Sequence, residues 1–234
     1  MLLADRLARP LGRRFLTPLD FDENLMGWWD ASKLRLDDND PVTTWPDLSG
    51  NGLDFTAQTA NPPVFAARAY NGRGAVRFDD DQDRHMDTDT FSAVSQPFTV
   101  LVVCQSSSAA GYSILNGTSS NRIVLGASGA GTSDLIAWAG GSPVPALPGA
   151  SWSLSVIAAY FNTANSIMWD ITGRRLSVGS AGSNTVTDFR LGRHQTDSTR
   201  RFNGDICELA IWARALPADE LGSLARDLAA KWGI

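Results

Sequence analysis

Short apolar runs separated by turn-forming residues extend over most of the chain. Runs of roughly four to eight residues that are rich in β-branched and aromatic side chains and bounded by Gly, Pro, Ser or Asn are typical of β-strands. The run "FTVLVVCQ" (98–105) is apolar on both faces, as in a central strand buried between two layers. Further strands are predicted at "AVRFDD" (75–80), "NRIVLGAS" (121–128), "DLIAWAG" (134–140), "LSVIAAYF" (154–161), "NSIMWDIT" (165–172), "RRLSVGS" (174–180), "FRLGRHQ" (189–195) and "FNGDICELAIWARAL" (202–216). The short intervals between them favour an antiparallel β-sandwich.

Helical periodicity occurs convincingly in one place, after the last predicted strand. Pro217 stands at the start of this segment, and Asp219 and Glu220 fall in the first turn, where carboxylates suit the helix dipole. One apolar stripe at helical spacing comprises Leu221, Leu224, Ala225, Leu228 and Trp232. With Gly233 as a C-cap, the pattern predicts a short C-terminal helix.

Two cysteines lie inside apolar, strand-like runs, Cys104 in "FTVLVVCQ" and Cys207 in "ICELAIWA". Two small buried thiols are the ordinary interpretation, since free cysteine is among the most buried residue types. The sequence leaves the possibility of a disulfide open, because such a bond requires that the two strands are neighbours. Strict alternation places Cys207 with Leu209 and Ile211 on one face of the last strand, and the other face then carries Ile206, Glu208, Ala210 and Trp212.

The acidic residues are mostly Asp and the basic residues mostly Arg. The 234-residue chain has 22 Asp but three Glu, and 18 Arg but two Lys, with a formal net charge of −5. Asp favours turns and caps, whereas Glu favours helix interiors, so this composition agrees with a chain of strands and turns. The acidic balance argues against nucleic acid as a partner. The length allows one large sandwich domain.

Residues 1–24 differ in composition from the predicted domain, 25–234. The segment is basic and leucine-rich, and its assembly-binding candidates are Arg6, Arg9, Arg13, Arg14 and Phe15. One interpretation is a solvated tail, and the other is an extended N-terminal arm that docks on a larger assembly. The leucines and Phe15 favour the arm. Charges interrupt every apolar run of the segment, so neither a secretory signal nor a membrane span is predicted.

Two acidic stretches are candidates for a cation site. "WPDLSGNGLDF" (45–55) offers Asp47, Asn51 and Asp54, and "RFDDDQDRHMDTD" (77–89) offers Asp79 and Asp83. Carboxylate and amide oxygens are the ligands that Ca²⁺ prefers. The alternative is structural: the first stretch forms an Asp-capped turn with positive-φ glycines, and arginines neutralise the second. For the first stretch a turn is the primary prediction and a cation the secondary one.

Aromatic residues in the middle of the chain are candidates for sugar binding. Trp138 and Trp152 flank a loop rich in Gly, Pro and Ser, and Trp169 follows them. A sugar stacks its apolar face on an aromatic ring while its hydroxyl groups bond to polar side chains. Arg193 and Arg200 belong to a polar loop that suits acidic sugars or holds the Asp turns. Burial of each tryptophan in the core is the alternative.

Three stretches carry a family resemblance: "GWWDASKLRLDDNDPVTTWPDLSGNGLDFTA" (27–57), "NGRGAVRFDDDQD" (71–83) and "FRLGRHQTDSTRRFNGDICELAIWARALPADELGSLARDLAAKWGI" (189–234). In this order they resemble the landmarks of LamG-like (concanavalin A-like lectin/glucanase) domains, over residues 26–234 with a divergent middle. The chain departs from the family at Asp80, where Gly is usual, and at Cys207. The resemblance implies an all-β fold, an antiparallel jelly-roll β-sandwich of the concanavalin A-like kind.

The resemblance has three further implications. It gives a core role to the tryptophans on the landmarks, Trp28, Trp29, Trp45, Trp212 and Trp232. Similar domains often hold one calcium ion near an edge of the sandwich, which supports the two acidic stretches as candidates. Glycosidases of this fold share a strand motif of closely spaced carboxylates, whereas Glu208 stands alone in its strand. A chain that is not an enzyme is therefore expected.

These features combine into an expected function. Proteins with a short basic leader and a LamG-like domain resemble phage tail-fibre or head accessory proteins, which are made in host cytoplasm and displayed on the virion. The expectation is a non-enzymatic virion surface protein that docks on other virion proteins by its arm, forms a homo-oligomer and binds cell-surface polysaccharide multivalently. One alternative is a decoration or fibre-attachment protein that binds no sugar. The other is a glycoside hydrolase of the concanavalin A-like fold.

Overall fold

Two antiparallel β-sheets and one C-terminal helix make up the fold in the computed structural model, which describes residues 15–107, 113–120, 122–127, 134–144, 153–171, 175–195 and 200–234. The strands are β1 (Leu25–Asp30), β2 (Thr44–Trp45), β3 (Phe55–Ala57), β4 (Val64–Tyr70), β5 (Arg73–Phe78), β6 (Met86–Asp87), β7 (Phe98–Ser106), β8 (Ser113–Asn116), β9 (Val124–Ala127), β10 (Leu135–Trp138), β11 (Ser155–Phe161), β12 (Ser166–Asp170), β13 (Arg175–Gly179), β14 (Arg190–Leu191) and β15 (Gly204–Trp212). The helix α1 spans Ala218–Trp232, and short 3₁₀ turns lie at Pro18–Phe21, Ala31–Lys33 and Thr163–Asn165.

The two sheets differ in how their strands are ordered. Sheet A has the order β13-β12-β11-β7-β15-β5-β4, and β1 also pairs with β15. β15 accommodates both β5 and β1 on one side because β5 pairs with residues 204–206 and β1 with residues 208–212. Sheet B has the order β10-β9-β8-β14-β6-β3-β2. The central positions of β7 and β15 agree with their nearly continuous apolar sequences.

The main hydrophobic core lies between the sheets. Sheet A contributes residues such as Val102 and Leu209, and sheet B contributes residues such as Phe55 and Leu125, all fully buried. Trp29 packs on Phe55 with ring centroids 4.6 Å apart. The predicted sandwich of two antiparallel sheets with a C-terminal helix is confirmed.

A second apolar layer covers the outer face of sheet A. The stripe of α1 that the sequence predicts packs there on Trp28, Ala210 and Trp212. All five landmark tryptophans are buried, Trp29 and Trp45 between the sheets and Trp28, Trp212 and Trp232 beneath the helix. Their predicted core role is confirmed.

A β-bulge at Cys207 changes the facing of β15. The register with β7 shifts between Ile206 and Glu208, so Cys207 and Glu208 both point toward the helix side. Ile206 therefore joins Leu209 and Ile211 in the core between the sheets. The prediction of strict alternation, with Cys207 beside Leu209, is wrong for this reason.

Both cysteines are free and buried, as predicted. Their strands β7 and β15 are neighbours, but Cys104 lies in the core between the sheets and Cys207 in the layer beneath the helix. Burial raises the pKa of the Cys104 thiol to about 12, and it also raises that of Cys207. Both thiols are thus protonated and unreactive at neutral pH.

A buried ion cluster connects α1 to sheet A. Lys231 Nζ lies 2.7 Å from Asp30 Oδ2 and 2.5 Å from Glu208 Oε2. The indole N–H groups of Trp28 and Trp232 both donate to Glu208, each at 2.8 Å. Burial raises the pKa of Glu208, and the Lys231 ammonium opposes that rise. The cluster joins the first strand, the last strand and the end of the helix at one point.

The described part of the predicted arm packs on the sandwich. The Leu16 N–H donates to Asp227 on α1 at 2.9 Å, and the Trp212 indole donates to the Phe21 carbonyl at 2.7 Å. Arg214 Nε donates to the Glu23 carbonyl at 2.8 Å. Residues 16–23 therefore lie with the domain that the sequence predicts to begin at residue 25.

Candidate functional site

An open depression of about 230 Å³ on the outer face of sheet B is the most site-like feature of the described residues. Its lining combines one tryptophan with aliphatic and hydrogen-bonding side chains, namely Ser113, Arg122, Val124, Ile136, Trp138, Pro143, His194 and Arg200. Drug-sized ligand sites occupy about 300–1,000 Å³, so this depression suits one or two sugar rings held at the surface. We refer to it as the Trp138 depression.

Strand alternation aims the apolar part of this site outward. In β10, Leu135 and Ala137 are buried in the core, while Ile136 and Trp138 lie on the opposite face and are half-buried. β10 pairs with β9 so that Trp138 lies opposite Val124. The ring and the two aliphatic side chains therefore form one continuous apolar surface.

The loop after Trp138 is held in place by backbone hydrogen bonds. The Trp138 indole donates to the Gly141 carbonyl at 2.6 Å. Asn184 connects both sides of the site: its N–H donates to the Ala139 carbonyl, and its side-chain amide donates to the Arg122 carbonyl. Gly140 has a φ of +92°, and a Cβ there would lie 2.3 Å from Asn184 Oδ1. The indole is thus fixed before any ligand arrives.

Arg122 lies against the tryptophan. Its guanidinium carbon is 5.2 Å from the centre of the Trp138 ring, within the range of a cation–π contact. Its Nη1 is 3.5 Å from the Ser119 carbonyl, and its Nε is buried without a hydrogen-bond partner among the described residues. Burial lowers the pKa of Arg122, although an arginine stays charged at neutral pH. Strand alternation offers a faint signal for this residue, since Arg122 stands two residues before Val124 and so falls on the same face.

The predicted sugar-binding residues do not all meet. Trp138 and Arg200 line the depression together. Trp169 lies on the outer face of sheet A, where it borders α1 across the sandwich from Trp138. Arg193 instead bonds to Asp83 at 3.2 Å. Trp152 lies outside the described residues. The missed members of the site are Ser113, Arg122, Val124, Ile136, Pro143 and His194.

The larger groove beside Trp169 has a different character. It encloses about 580 Å³ between α1 and the far strands of sheet A, and its walls are mainly apolar, including Ile167, Leu176 and Leu221. Sugar hydroxyl groups need hydrogen-bond partners when they lose water. This groove offers few of them, so the grouping of Trp169 with Trp138 as sugar-binding residues is not supported by their positions.

The stretch from Trp45 to Phe55 is a turn, as primarily predicted. Asp47 Oδ1 accepts from the N–H groups of Trp28 and Ser49, and Oδ2 accepts from the Ser49 hydroxyl and the Leu53 N–H. These four donors use the lone-pair positions of the carboxylate. The loop glycines at positions 50 and 52 have φ values of +92° and +75°.

The other two candidates of this turn also make structural bonds. Asn51 Nδ2 donates to the Leu25 carbonyl at 2.7 Å, and Asp54 Oδ1 accepts from the Asp47 N–H at 2.8 Å. A calcium ion bound by Asp47 would displace hydrogen bonds that connect the turn to β1. Calcium at this loop stays a prediction.

The second acidic stretch separates into two parts. Asp83 is neutralised by Arg193 and Arg201, each at 3.2 Å. Asp79, Asp80 and Asp81 bring one carboxylate oxygen each within 4.8 Å of the others. Asp80 also accepts from Asn203 at 2.8 Å, so part of this group serves the local turn. Asp79 and Asp83 therefore do not belong to the same cluster of carboxylates. A cation at this stretch stays a prediction.

The assembly-binding candidates belong mostly to the N-terminal segment that precedes the described part of the chain. Arg6, Arg9, Arg13 and Arg14 lie outside the described residues. Phe15 is half-buried and lines a groove with Trp28 and Lys231. Over the described ranges, no helix is long and apolar enough to span a lipid bilayer.

His85, beside this acidic stretch, should give the folded protein a measurable acid sensitivity. Burial lowers its pKa, its ring lies 3.1 Å from the Asp83 carbonyl, and Asp87, Arg190 and Arg193 surround it. The unfolded chain binds a proton on this imidazole at a higher pH than the folded chain does. The free energy of unfolding is therefore highest above about pH 6.5 and falls as the pH drops through the folded-state pKa.

We expect His85→Asn to flatten this fall in the free energy of unfolding, measured by urea unfolding between pH 5 and 7.5. His194→Gln, at the half-exposed second histidine, serves as the matched control and should retain the fall. Equal pH profiles for wild type and His85→Asn would show that another group causes the sensitivity.

Comparison with known proteins supports the architecture but supplies no family. No family model matches the chain, and no curated protein matches it. Domain 4 of AbnA, a GH43 extracellular arabinanase from Geobacillus stearothermophilus solved with arabinotriose, is similar with a TM-score of 0.61 and 16% identity, over 86% of this chain and 98% of that one. A GH54 α-L-arabinofuranosidase has a TM-score of 0.57 and 14% identity, over 81% of this chain and 51% of that one. Trypanosoma rangeli sialidase has a TM-score of 0.52 and 12% identity, over 96% of this chain and 35% of that one.

These matches support the β-sandwich fold, which the three named proteins share with this chain. The chain spans nearly all of the arabinanase domain, about half of the arabinofuranosidase and about a third of the sialidase. The three structures named above come from glycoside hydrolases, which contradicts the expectation of a non-enzymatic virion surface protein. That prediction and the prediction that the chain is not an enzyme are wrong.

Proposed function

We propose that this chain is a glycoside-hydrolase sandwich domain that binds the enzyme's saccharide substrate in the Trp138 depression. The observation that carries the proposal is a fixed, half-buried tryptophan on an open sheet face, surrounded by hydrogen-bonding side chains. An aromatic face next to a few well-placed polar groups is the usual chemistry of sugar recognition, because a sugar ring has one apolar face and a polar rim.

The polar groups of the depression are suited to the rim of a sugar. Ser113 offers a hydroxyl, His194 a ring nitrogen and Arg200 a guanidinium. The lining residues named above, all within the described ranges, include no carboxylate. They therefore offer binding rather than the carboxylate pair that glycoside hydrolysis uses.

The finer fold assignment supports the same proposal. We infer the jelly-roll connectivity of LamG-like domains, because the first and the last sequence landmarks of that family meet in one cluster. Asp30 from the first landmark, Glu208 and Lys231 from the last one make the buried ion cluster. The arabinanase domain with which the chain shares its architecture was solved with arabinotriose, so pentose oligosaccharides are the first ligands to test.

Trp138→Ala is expected to weaken saccharide binding by about tenfold or more, because the stacking surface is lost. The full chain would be titrated with arabino-oligosaccharides and a panel of other neutral and acidic oligosaccharides by isothermal titration calorimetry. The same samples would be assayed for release of reducing sugar, since the similar structures come from glycoside hydrolases.

Trp169→Ala is the matched control, because Trp169 is similarly half-buried but lies on the other sheet. It should bind saccharide as wild type does. Loss of binding in Trp169→Ala with retention in Trp138→Ala would move the site to the helix side. Absence of binding by wild type to every saccharide would overturn the proposal.

A further inference from the structure

We infer that the saccharide bound in the Trp138 depression carries an anionic substituent, either a uronic-acid carboxylate or a sulfate ester, that pairs with Arg122. This inference deepens the proposed function and rests on it. The chain has a formal net charge of −5, yet the depression brings the guanidinium groups of Arg122 and Arg200 to one surface.

Arg122 differs from the other arginines near sheet B in how its charge is balanced. Arg190 makes a two-pronged pair with Asp87, at 2.7 and 2.6 Å. Arg193 and Arg201 share Asp83. Arg122 takes part in none of the ion pairs found within the described ranges, and its contacts are a carbonyl at 3.5 Å and the face of Trp138.

The position of Arg122 is suited to an anion that belongs to a sugar. The guanidinium and the indole share one small surface, so a ring that stacks near Trp138 brings its substituents within reach of the arginine. A planar guanidinium binds carboxylate and sulfate oxygens through two parallel hydrogen bonds. The partly buried setting strengthens such a pair, since nearby apolar side chains reduce solvent screening.

The site is also held rigid, which favours charge selection. The Asn184 side chain bonds to the Arg122 carbonyl, and its backbone bonds to Ala139 beyond Trp138. Arginine and tryptophan are thus connected through a single residue. A preorganised cation discriminates between an anionic and a neutral substituent more sharply than a mobile one.

The test compares four ligands on wild-type protein by isothermal titration calorimetry: oligogalacturonate, its methyl ester, a sulfated oligosaccharide and a neutral arabino-oligosaccharide. We expect an anionic saccharide to bind at least about tenfold more tightly than the methyl ester and the neutral one. We expect this preference to weaken as salt is raised, because the pair is partly exposed. Comparing the affinity for oligogalacturonate with that for the sulfated ligand shows whether the site prefers a carboxylate or a sulfate.

Arg122→Gln should remove the anionic preference, measured as the ratio of anionic to neutral affinity within the same variant, and Arg122→Lys should restore part of it. Arg35→Gln, at an exposed arginine outside the depression, is the matched control and should leave all affinities unchanged. Equal binding of neutral and anionic saccharides, or an anionic preference that survives in a folded Arg122→Gln protein, would overturn the inference but keep the proposed function. No binding of any saccharide would overturn both.

Discussion

Replacing Lys231 by methionine is expected to lower the free energy of unfolding by about 3–5 kcal/mol, the usual cost of breaking a buried ion pair from one side. Lys231 is the cation shared by Asp30 and Glu208, both of which are almost fully buried. Without it, two carboxylates face each other away from water. Burial already raises the pKa of Glu208, and the Lys231 ammonium opposes that rise, so in the variant Glu208 should take up a proton more readily.

The free energy of unfolding of Lys231→Met should depend on pH in a distinctive way. The loss of stability should be largest near neutral pH and shrink as acidification neutralises Glu208. Urea unfolding at pH 7.5 and 5 measures it. Lys33→Met is the matched control, because the chain's other lysine is exposed, and it should change stability by no more than about 0.5 kcal/mol. A similar small change in Lys231→Met would mean that the cluster does not hold the helix in place.

Asp47→Ala is expected to lower the free energy of unfolding by about 2–4 kcal/mol. Its carboxylate accepts four hydrogen bonds, one of them from the Trp28 N–H in β1, and hydrogen bonds to a charged group each contribute about 1.5–3 kcal/mol before relaxation and water entry. Asp47→Asn keeps one oxygen acceptor and should lose less. Asp22→Ala, at an exposed aspartate, is the control for removal of a surface charge.

The same unfolding curves distinguish a turn from a calcium site. All four donors to Asp47 belong to the protein, so the loss in Asp47→Ala should be the same with and without EDTA. If EDTA destabilises wild type by as much as the substitution does, the calcium prediction for this loop is right and the hydrogen bonds are secondary.

The strands and the helix could be predicted from the sequence, but the face on which some side chains lie could not. Short apolar runs and the stripe of α1 predict the two sheets and the helix because they record burial on one or both faces. The extra residue at Cys207 has no marker in the sequence, since Ile206 and Cys207 are both apolar. The bulge turns Glu208 toward Lys231, 23 positions further along, and that long-range partner decides its direction.

The candidate site, too, could be predicted from the sequence only in part. Trp138 and Arg200 could be chosen from residue type and loop context. Trp169 could not be separated from Trp138 by the same criteria, because both stand at alternating positions in short strands and differ in which sheet those strands join. Arg122 was missed because a lone arginine before a strand gains meaning only from the ring of the neighbouring strand.

The pairing of β1 with β15 has a consequence for how the chain is made. Leu25 lies opposite Trp212, so the first strand has its hydrogen-bonding neighbour 187 positions later. At about 5–20 residues per second, a ribosome needs on the order of 10–40 s to supply that neighbour. During this interval β1, with Trp28 and Trp29, has left the ribosome without the strand that pairs with it, and loop closure over this span is slow. Nascent chains held by a chaperone until Trp212 emerges should therefore give a higher yield of folded protein than chains released earlier.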